Sequence, residues 1–198
     1  DELRLALAPA VARAAVFDGW SEAALAQAAA TAGVDLAVAR LAFPGGAADM
    51  IAAWIETIDA SMEHAFADGA LAGLKIRDRI RTLVLFRLDA VAGREEALQR
   101  AWAIQALPQN LTQTARIAWR SADAMWRLAG DTATDYNHYT KRLLLGGIYT
   151  ASLSVFIDDD SDGKTDTRAF IDRRIEDVMT FEKFKAQLLR RDDRFDVA

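Results

Sequence analysis

Cysteine is absent from the 198-residue chain, which excludes disulfides, thiolate metal sites and cysteine nucleophiles together. Proline occurs only 3 times and glycine 11 times, which excludes collagen-like and glycine-rich fibrous chains. Hydrophobic residues make up 52% of the sequence, so the composition is not that of a disordered chain. A chain of this length can bury an extensive core without covalent staples. The formal net charge of −5 argues against a general binder of polyanions.

Targeting and membrane-spanning patterns are also missing. The first residues show no basic stretch followed by an apolar run, so we expect no signal peptide. The longest uncharged stretch covers residues 143–157, which is too short to span a bilayer comfortably. We therefore expect residues 143–157 to form a buried core helix.

Apolar residues recur at helical spacing along almost the whole chain, whereas strand-like alternation is nearly absent. Ser21 and Asp35 are predicted to cap helices at their amino ends, and Gly33 to end a helix in a left-handed conformation. Residues 43–46 contain a proline and two glycines and form the clearest break. The sequence predicts an all-α fold of nine or ten helices. Its predicted units are a three-helix unit at 1–46, a helical domain at 47–180, and an amphipathic helix and tail at 181–198.

The first three helices have the order of a helix-turn-helix, and their spacing resembles the amino-terminal part of TetR-type regulators. Residues 1–46 carry three basic side chains against five acidic ones. Phosphate contacts come mostly from Arg and Lys, and the expected recognition helix at 34–43 offers only Arg40. We therefore expect no nucleic-acid binding. A TetR-type, ligand-sensing transcriptional regulator remains the alternative function.

Two acidic patterns resemble metal sites without completing them. The run from Asp158 to Gly163 begins like a calcium loop, but Ala169 occupies the position that needs a bidentate carboxylate. A solvated acidic linker is the favoured interpretation. Asp135 and His138 share a helical face, yet a di-iron bundle needs a second such pair. No catalytic set is recognisable, so we expect no enzymatic activity, no cofactor and no metal; a small metal enzyme is a third hypothesis.

Two stretches have the composition of interaction surfaces. Residues 126–142 are dense in aromatics, amides and paired charges, and indicate either a capped, packed helix start or a surface for a partner. Near the carboxyl end, Phe181, Phe184 and Leu188 share one helical face beside several basic residues. Such a helix suits an anionic membrane surface, or it docks onto its own domain or a partner.

The residues between Trp126 and Tyr149 resemble a family of ubiquinone-biosynthesis accessory proteins called coenzyme Q protein nine. The segment Gly130-Asp131-x-x-Thr134-Asp135-Tyr136-Asn137 is its most specific part. The start at Gly19-Trp20-Ser21, the Leu107-Pro108 pair and residues 167–179 extend the resemblance along most of the chain.

The resemblance implies a homodimer of TetR-like fold that holds an isoprenoid lipid or quinone precursor and assists the di-iron demethoxyubiquinone hydroxylase, or another quinone hydroxylase. It also implies a cytoplasmic position peripheral to the inner membrane, with the helix carrying Phe181, Phe184 and Leu188 at the membrane. Carried over by position, the partner-binding residues are Asp123, Met125, Trp126, Asp135, Tyr139 and Arg142. His138 stands where eukaryotic relatives have a tryptophan, which leaves the identity of the hydroxylase open.

Apolar residues on two helices exceed what a tight helix-packing stripe needs, so an apolar cavity between them is a plausible lipid site. The side chains predicted to line it are Leu83, Phe86, Trp102, Leu144, Leu145 and Ile148.

Overall fold

The computed structural model describes the backbone of residues 2–132 and 136–192, and the side chains of residues 2–132 and 138–180. These residues form nine α-helices and no strand, so the predicted all-α class is confirmed. The helices are α1 (Glu2–Asp18), α2 (Glu22–Ala32), α3 (Leu36–Ala42), α4 (Ala47–Ala65), α5 (Ile76–Val91), α6 (Glu95–Gln105), α7 (Leu111–Leu128), α8 (Tyr136–Asp158) and α9 (Thr165–Asp192). Short 3-10 turns precede α7 at Pro108–Asn110 and α9 at Asp162–Lys164.

Local sequence signals set the ends of the early helices. The Ser21 hydroxyl accepts a hydrogen bond from the Ala24 amide at 3.3 Å, and the Asp35 carboxylate accepts one from the Ala37 amide at 2.8 Å. Gly33 ends α2 with a φ of 67°, a backbone conformation that side chains other than glycine rarely adopt. All three predicted caps are confirmed.

The first three helices pack through small side chains onto the rest of the molecule. Leu7, Val11 and Leu25 are almost fully buried among alanines of α1 and α2. Trp20 anchors the unit to later helices, because its indole nitrogen donates to the Ala97 carbonyl at 2.8 Å and its ring centroid lies 5.3 Å from that of Trp54. The unit at 1–46 is therefore part of one continuous hydrophobic core.

The predicted break near residue 180 is wrong. α9 continues from Thr165 to Asp192, and this stretch contains no glycine or proline that would interrupt a helix. The apolar spacing from Phe181 onward therefore belongs to the last turns of α9, not to a separate helix. The side chains of Phe181, Phe184 and Leu188 lie outside the described residues.

The acidic turn between α8 and α9 is only partly a solvated linker. Asp158, Asp160 and Asp162 are exposed, but Asp159 is buried. Its carboxylate accepts hydrogen bonds from the backbone amides of Ser161 at 2.9 Å and Thr167 at 2.8 Å, and from both hydroxyls. Hydrogen bonds from Ser161 and Thr167 lower the pKa of Asp159 well below its usual range. Asp159 thus holds the α8–α9 corner as an ionised cap.

In the part of the chain that the structure describes, no single helix is both long and apolar enough to cross a bilayer. Among these residues, only α2 and α3 taken together have the length and apolar composition of a membrane span, and these two helices meet at a bend of 116°.

Candidate functional site

A cavity of about 390 Å³ lies among α4, α5, α6, α7 and α8. Its volume falls within the range of roughly 300–1,000 Å³ that is common for small-molecule sites. Most of the wall is apolar, with Ile51, Trp54, Ile58, Val91, Leu98, Ala101, Trp102, Ile117, Met125 and Leu153 among the lining residues. The cavity is therefore suited to a hydrocarbon ligand.

One part of this apolar wall carries a buried charge. Arg87 is 1% exposed, and its guanidinium pairs with Asp59, which is 6% exposed. The second terminal nitrogen of Arg87 donates to the Ser121 hydroxyl at 3.2 Å, and this hydroxyl donates to Asp59 at 2.9 Å. The three side chains thus form a closed ring of hydrogen bonds, in which Arg87 and Ser121 border the cavity.

Tyr149 completes this polar cluster. The guanidinium carbon of Arg87 lies 4.8 Å from the centroid of the Tyr149 ring. Burial alone would lower the pKa of Arg87, but Tyr149 and Asp59 outweigh burial and raise it. The Nε atom of Arg87 is buried and has no hydrogen-bond acceptor among the described residues. Arg87 is therefore a buried, fixed cation that borders the cavity and that Tyr149 also hydrogen-bonds, while its Nε–H has no acceptor among the described residues.

A second, more open groove of about 660 Å³ runs along α6, α7 and α8. Its wall includes Trp119, Arg142 and Leu143. Four residues border both the groove and the cavity: Trp102, Ala118, Gly146 and Thr150. The cavity and the groove therefore adjoin at these residues.

The six predicted lipid-lining residues do not come together in one cavity. Trp102 borders the large cavity. Leu144, Leu145 and Ile148 instead border a separate space of about 90 Å³ between α5, α7, α8 and α9. Leu83 is fully buried and Phe86 half-buried, and neither borders these two spaces. The predicted excess of apolar residues on α8 is real, but much of it packs against neighbouring helices.

Three aromatic rings cluster where α7 meets the start of α8. The Trp119 ring centroid lies 5.7 Å from that of Tyr139 and 6.0 Å from that of His138. Tyr139 is 58% exposed and the neighbouring Leu143 is 68% exposed. We call Trp119, His138, Tyr139 and Leu143 the aromatic patch. Sequence reasoning missed Trp119, although a tryptophan on the polar side of the strongly amphipathic α7 was a usable signal.

The structure places the predicted partner-binding residues at different depths. Tyr139 is exposed and Asp123 half-buried, whereas Met125, Trp126 and Arg142 are buried within this chain. Trp126 donates from its indole nitrogen to the Lys141 carbonyl at 2.9 Å, so it joins α7 to α8. Met125, Trp126 and Arg142 therefore lie beneath the surface that Tyr139 and Asp123 form, and their contact with a partner stays a prediction. Asp135 lies outside the described residues.

A buried ion cluster supports the aromatic patch. Arg142 is 2% exposed and donates to Asp123 at 2.6 Å and to Asp131 at 3.1 Å. Lys141 also donates to Asp131 at 2.6 Å. Burial alone would raise the pKa of Asp131, but the hydrogen bonds from Lys141 and Arg142 outweigh burial and lower it. These ion pairs fix the first turns of α8 against the end of α7.

Metal binding has no geometric support among the side chains of residues 2–132 and 138–180. No group of three or more His, Asp or Glu side chains there is arranged to hold an ion. Asp135, which the sequence places on one helical face with His138, lies outside the described residues.

Residues 111–182 match the model of a protein family described as COQ9. The ubiquinone biosynthesis protein COQ9 of Rattus norvegicus is 32% identical over 168 residues, which cover 81% of this chain and 54% of the rat protein. The Bos taurus protein of the same name is 30% identical, with 81% of this chain and 52% of the relative covered. The resemblance to the coenzyme Q protein nine family is confirmed.

The COQ9 family match covers one side of the candidate site. Residues 111–182 include α7, α8 and most of α9, and therefore the aromatic patch, the ion cluster and the groove wall apart from Trp102, whereas the α4, α5 and α6 walls of the cavity lie outside them. The chain spans about half the length of the curated COQ9 relatives that it matches. The matched relatives are named as mitochondrial proteins.

The overall fold is that of a TetR regulator. A TetR transcriptional regulator of known crystal structure, from Nitrosomonas europaea, superposes with a TM-score of 0.70 over 89% of this chain and 97% of its own. The two sequences are 22% identical, so this similarity concerns the fold alone. The predicted TetR-like fold is confirmed.

Proposed function

We propose that this protein is a non-enzymatic, lipid-binding accessory protein of ubiquinone biosynthesis. In this role it holds an isoprenoid quinone precursor and presents it to the di-iron demethoxyubiquinone hydroxylase. The observation that carries the proposal is the common border of the apolar cavity and the groove at Trp102, Ala118, Gly146 and Thr150. A lipid held in the cavity can continue into the groove, which leads towards the aromatic patch.

The aromatic patch supports the docking part of the proposal. Tyr139 and Leu143 expose large apolar surfaces next to Trp119, and aromatic side chains are common anchors of protein interfaces. The ion cluster of Arg142 beneath them holds the patch in one geometry, so docking costs little conformational entropy. Since the groove wall includes Trp119, a hydroxylase bound at the patch would adjoin the lipid path.

Dimer formation and membrane contact belong to the same proposal. We expect a homodimer that lies peripheral to the inner membrane, with the carboxyl-terminal turns of α9 at the lipid surface. The basic residues around Phe181 and Phe184 favour anionic lipids. Replacing both phenylalanines with Glu should abolish sedimentation with anionic liposomes, and unchanged sedimentation would rule out this contact.

The function is tested by measuring the quinones of a strain that lacks the protein, with mass spectrometry of total lipids. We expect ubiquinone to fall and a demethoxy or other under-hydroxylated precursor to accumulate. Wild-type protein should restore the profile, whereas the double variant Trp119→Ala/Tyr139→Ala should not. Phe17→Ala is the matched control, because Phe17 is 84% exposed on α1, outside the patch, and its loss should have no effect. A normal quinone profile in the deletion strain would contradict the proposal.

A TetR-type transcriptional regulator is the second candidate, favoured only by the shared fold. The recognition-helix position α3 argues against it, because Arg40 forms an ion pair with Glu22 and the exposed α3 side chains Val38 and Leu41 are apolar. A gel-shift against genomic fragments at low salt tests this candidate. Specific binding of any fragment would revive the regulator.

A further inference from the structure

Among the described residues that line the 390 Å³ cavity, Arg87 is the one charged residue. It is buried together with Asp59 and Ser121. Burying an ion pair in an apolar region costs free energy, and apolar side chains of similar volume often give equal or greater stability. Stability alone therefore does not explain why this cluster is present. Two of its members, Arg87 and Ser121, border the space where a ligand would lie.

Asp59 holds the guanidinium in a defined orientation. One carboxylate oxygen accepts from Arg87 and the other accepts from Ser121 at 2.9 Å, so both oxygens are used. Arg120 also approaches Asp59, with a nitrogen–oxygen distance of 3.7 Å. Two cations thus share this one carboxylate, although Glu56 also pairs with Arg120 at 3.4 Å. Arg120 and Glu56 do not line this cavity, so Arg87 is the charged group that a ligand in it would meet among the described residues.

The hydrogen-bond donors of Arg87 also indicate a ligand with an acceptor atom. A guanidinium has five N–H groups in a planar fork, and the Nε–H of Arg87 has no acceptor among the described residues. A buried donor without an acceptor destabilises a protein, unless a ligand or water supplies the missing oxygen. The Tyr149 ring, which also borders the cavity, packs on the guanidinium and keeps its plane fixed.

We propose that Arg87 hydrogen-bonds a ring oxygen of the bound lipid. In the held state the cavity receives the oxygen-bearing quinone or phenol ring with that oxygen towards Arg87, and the ring moves out along the groove when the lipid is presented at the aromatic patch. The ring can pack against Trp54 and Trp102, which both line the cavity. At about 390 Å³ the cavity holds one end of a long-chain lipid and not its whole length. This inference rests on the proposed function, because it assigns the orientation of the same ligand.

The test compares two probes that share a decyl tail: a decyl-substituted benzoquinone and decylbenzene. Binding to the full chain is followed by Trp fluorescence for the quinone, and by competition against a fluorescent fatty-chain probe for both. The informative variant is Arg87→Lys, which keeps the positive charge beside Asp59 but removes the planar fork and its Nε–H. Ser121→Ala is the second variant, and Thr150→Val is the matched control because it removes a lining hydroxyl outside the cluster.

We expect the wild-type protein to prefer the quinone by about tenfold or more, since a site with an unused donor discriminates against a ligand that lacks the acceptor. Arg87→Lys should reduce this ratio of Kd values about tenfold, with decylbenzene affinity unchanged and with Thr150→Val like the wild type. Ser121→Ala should reduce the ratio in the same direction, and it decides the test if Arg87→Lys does not fold. A ratio that neither variant changes would overturn the orientation but leave lipid binding intact. Failure of both probes to bind wild-type protein would overturn the proposed function as well.

Discussion

The first three helices and the helices from α4 to α8 use buried space in opposite ways. In α1–α3 the core consists of alanines around Leu7, Val11 and Leu25, and the charged pair Arg40–Glu22 lies on the surface. In α4–α8 a cavity of about 390 Å³ remains open, and charged groups such as Arg87 and Arg142 are buried. Tight packing of small side chains fills the interior of the first unit, and the space beside it is an open groove of about 730 Å³ between α1, α3, α4 and α7. Space and buried charge therefore occur together in α4–α8, where the candidate site lies.

The difference shows how a regulator-like fold can serve another purpose. In the amino-terminal unit, the position of a recognition helix is kept, but α3 offers apolar side chains and a paired arginine. In the later helices, buried polar residues form the fixed clusters around Arg87 and Arg142. Similarity of fold therefore describes the arrangement of the helices, whereas function depends on the residues that they carry.

The largest expected difference is in the free energy of unfolding when the buried Arg142 or the exposed Arg40 loses its ion pair. Arg142→Met removes a side chain that is 2% exposed and leaves Lys141 as the one ion-pair partner of Asp131 among the described residues. We expect the free energy of unfolding to fall by about 3–5 kcal/mol, the usual cost of breaking a buried pair. Urea denaturation with far-UV circular dichroism measures it.

Arg40→Met is the matched control, because this arginine pairs with Glu22 while more than half exposed. Its loss should change the free energy of unfolding by less than about 1 kcal/mol. Equal losses from the two variants would show that burial does not separate the regions.

A larger side chain at a buried alanine tests whether the two regions differ in packing. Ala12 in α1 is fully buried and Ala122 in α7 is 2% exposed, but only Ala122 borders the cavity. Ala12→Leu should destabilise the protein by about 1–3 kcal/mol through overpacking, whereas Ala122→Leu can extend into empty space and should cost less than about 1 kcal/mol. Thermal unfolding gives the comparison. A larger loss from Ala122→Leu would mean that the cavity does not accept added side-chain volume.

The smallest effect is a difference in acid sensitivity at the α8–α9 corner. The folded pKa of Asp159 lies below its unfolded value of about 3.9, so the unfolded chain binds more protons in acid and stability falls as pH drops below that value. Asp159→Asn removes this contribution, so its stability deficit relative to wild type should shrink between pH 7 and pH 3. Urea midpoints at several pH values test this. The exposed Asp160→Asn should follow the wild-type curve, and a constant deficit for Asp159→Asn would refute the linkage.

Local signals in the sequence predicted the all-α fold and the ends of the early helices. Ser21, Gly33 and Asp35 act within a few residues of themselves, and their caps are found as expected. The site depends on distant pairings that no local pattern encodes. Arg87 meets Asp59 and Ser121 from 28 and 34 residues away, and Trp119 meets Tyr139 only because α7 and α8 pack together. The continuity of α9 differs from the prediction because the apolar spacing changes after residue 180 while the helix itself continues to Asp192.

The central claim is that the cavity between α4 and α8 holds an isoprenoid quinone precursor. The most direct test is mass spectrometry of lipids that co-purify with the wild-type protein and with Ala122→Leu, which should narrow the cavity without unfolding the chain. We expect an isoprenoid quinone precursor with the wild-type protein and clearly less of it with the folded variant. Absence of isoprenoid lipid from the wild-type protein, or equal amounts in both, would contradict the claim.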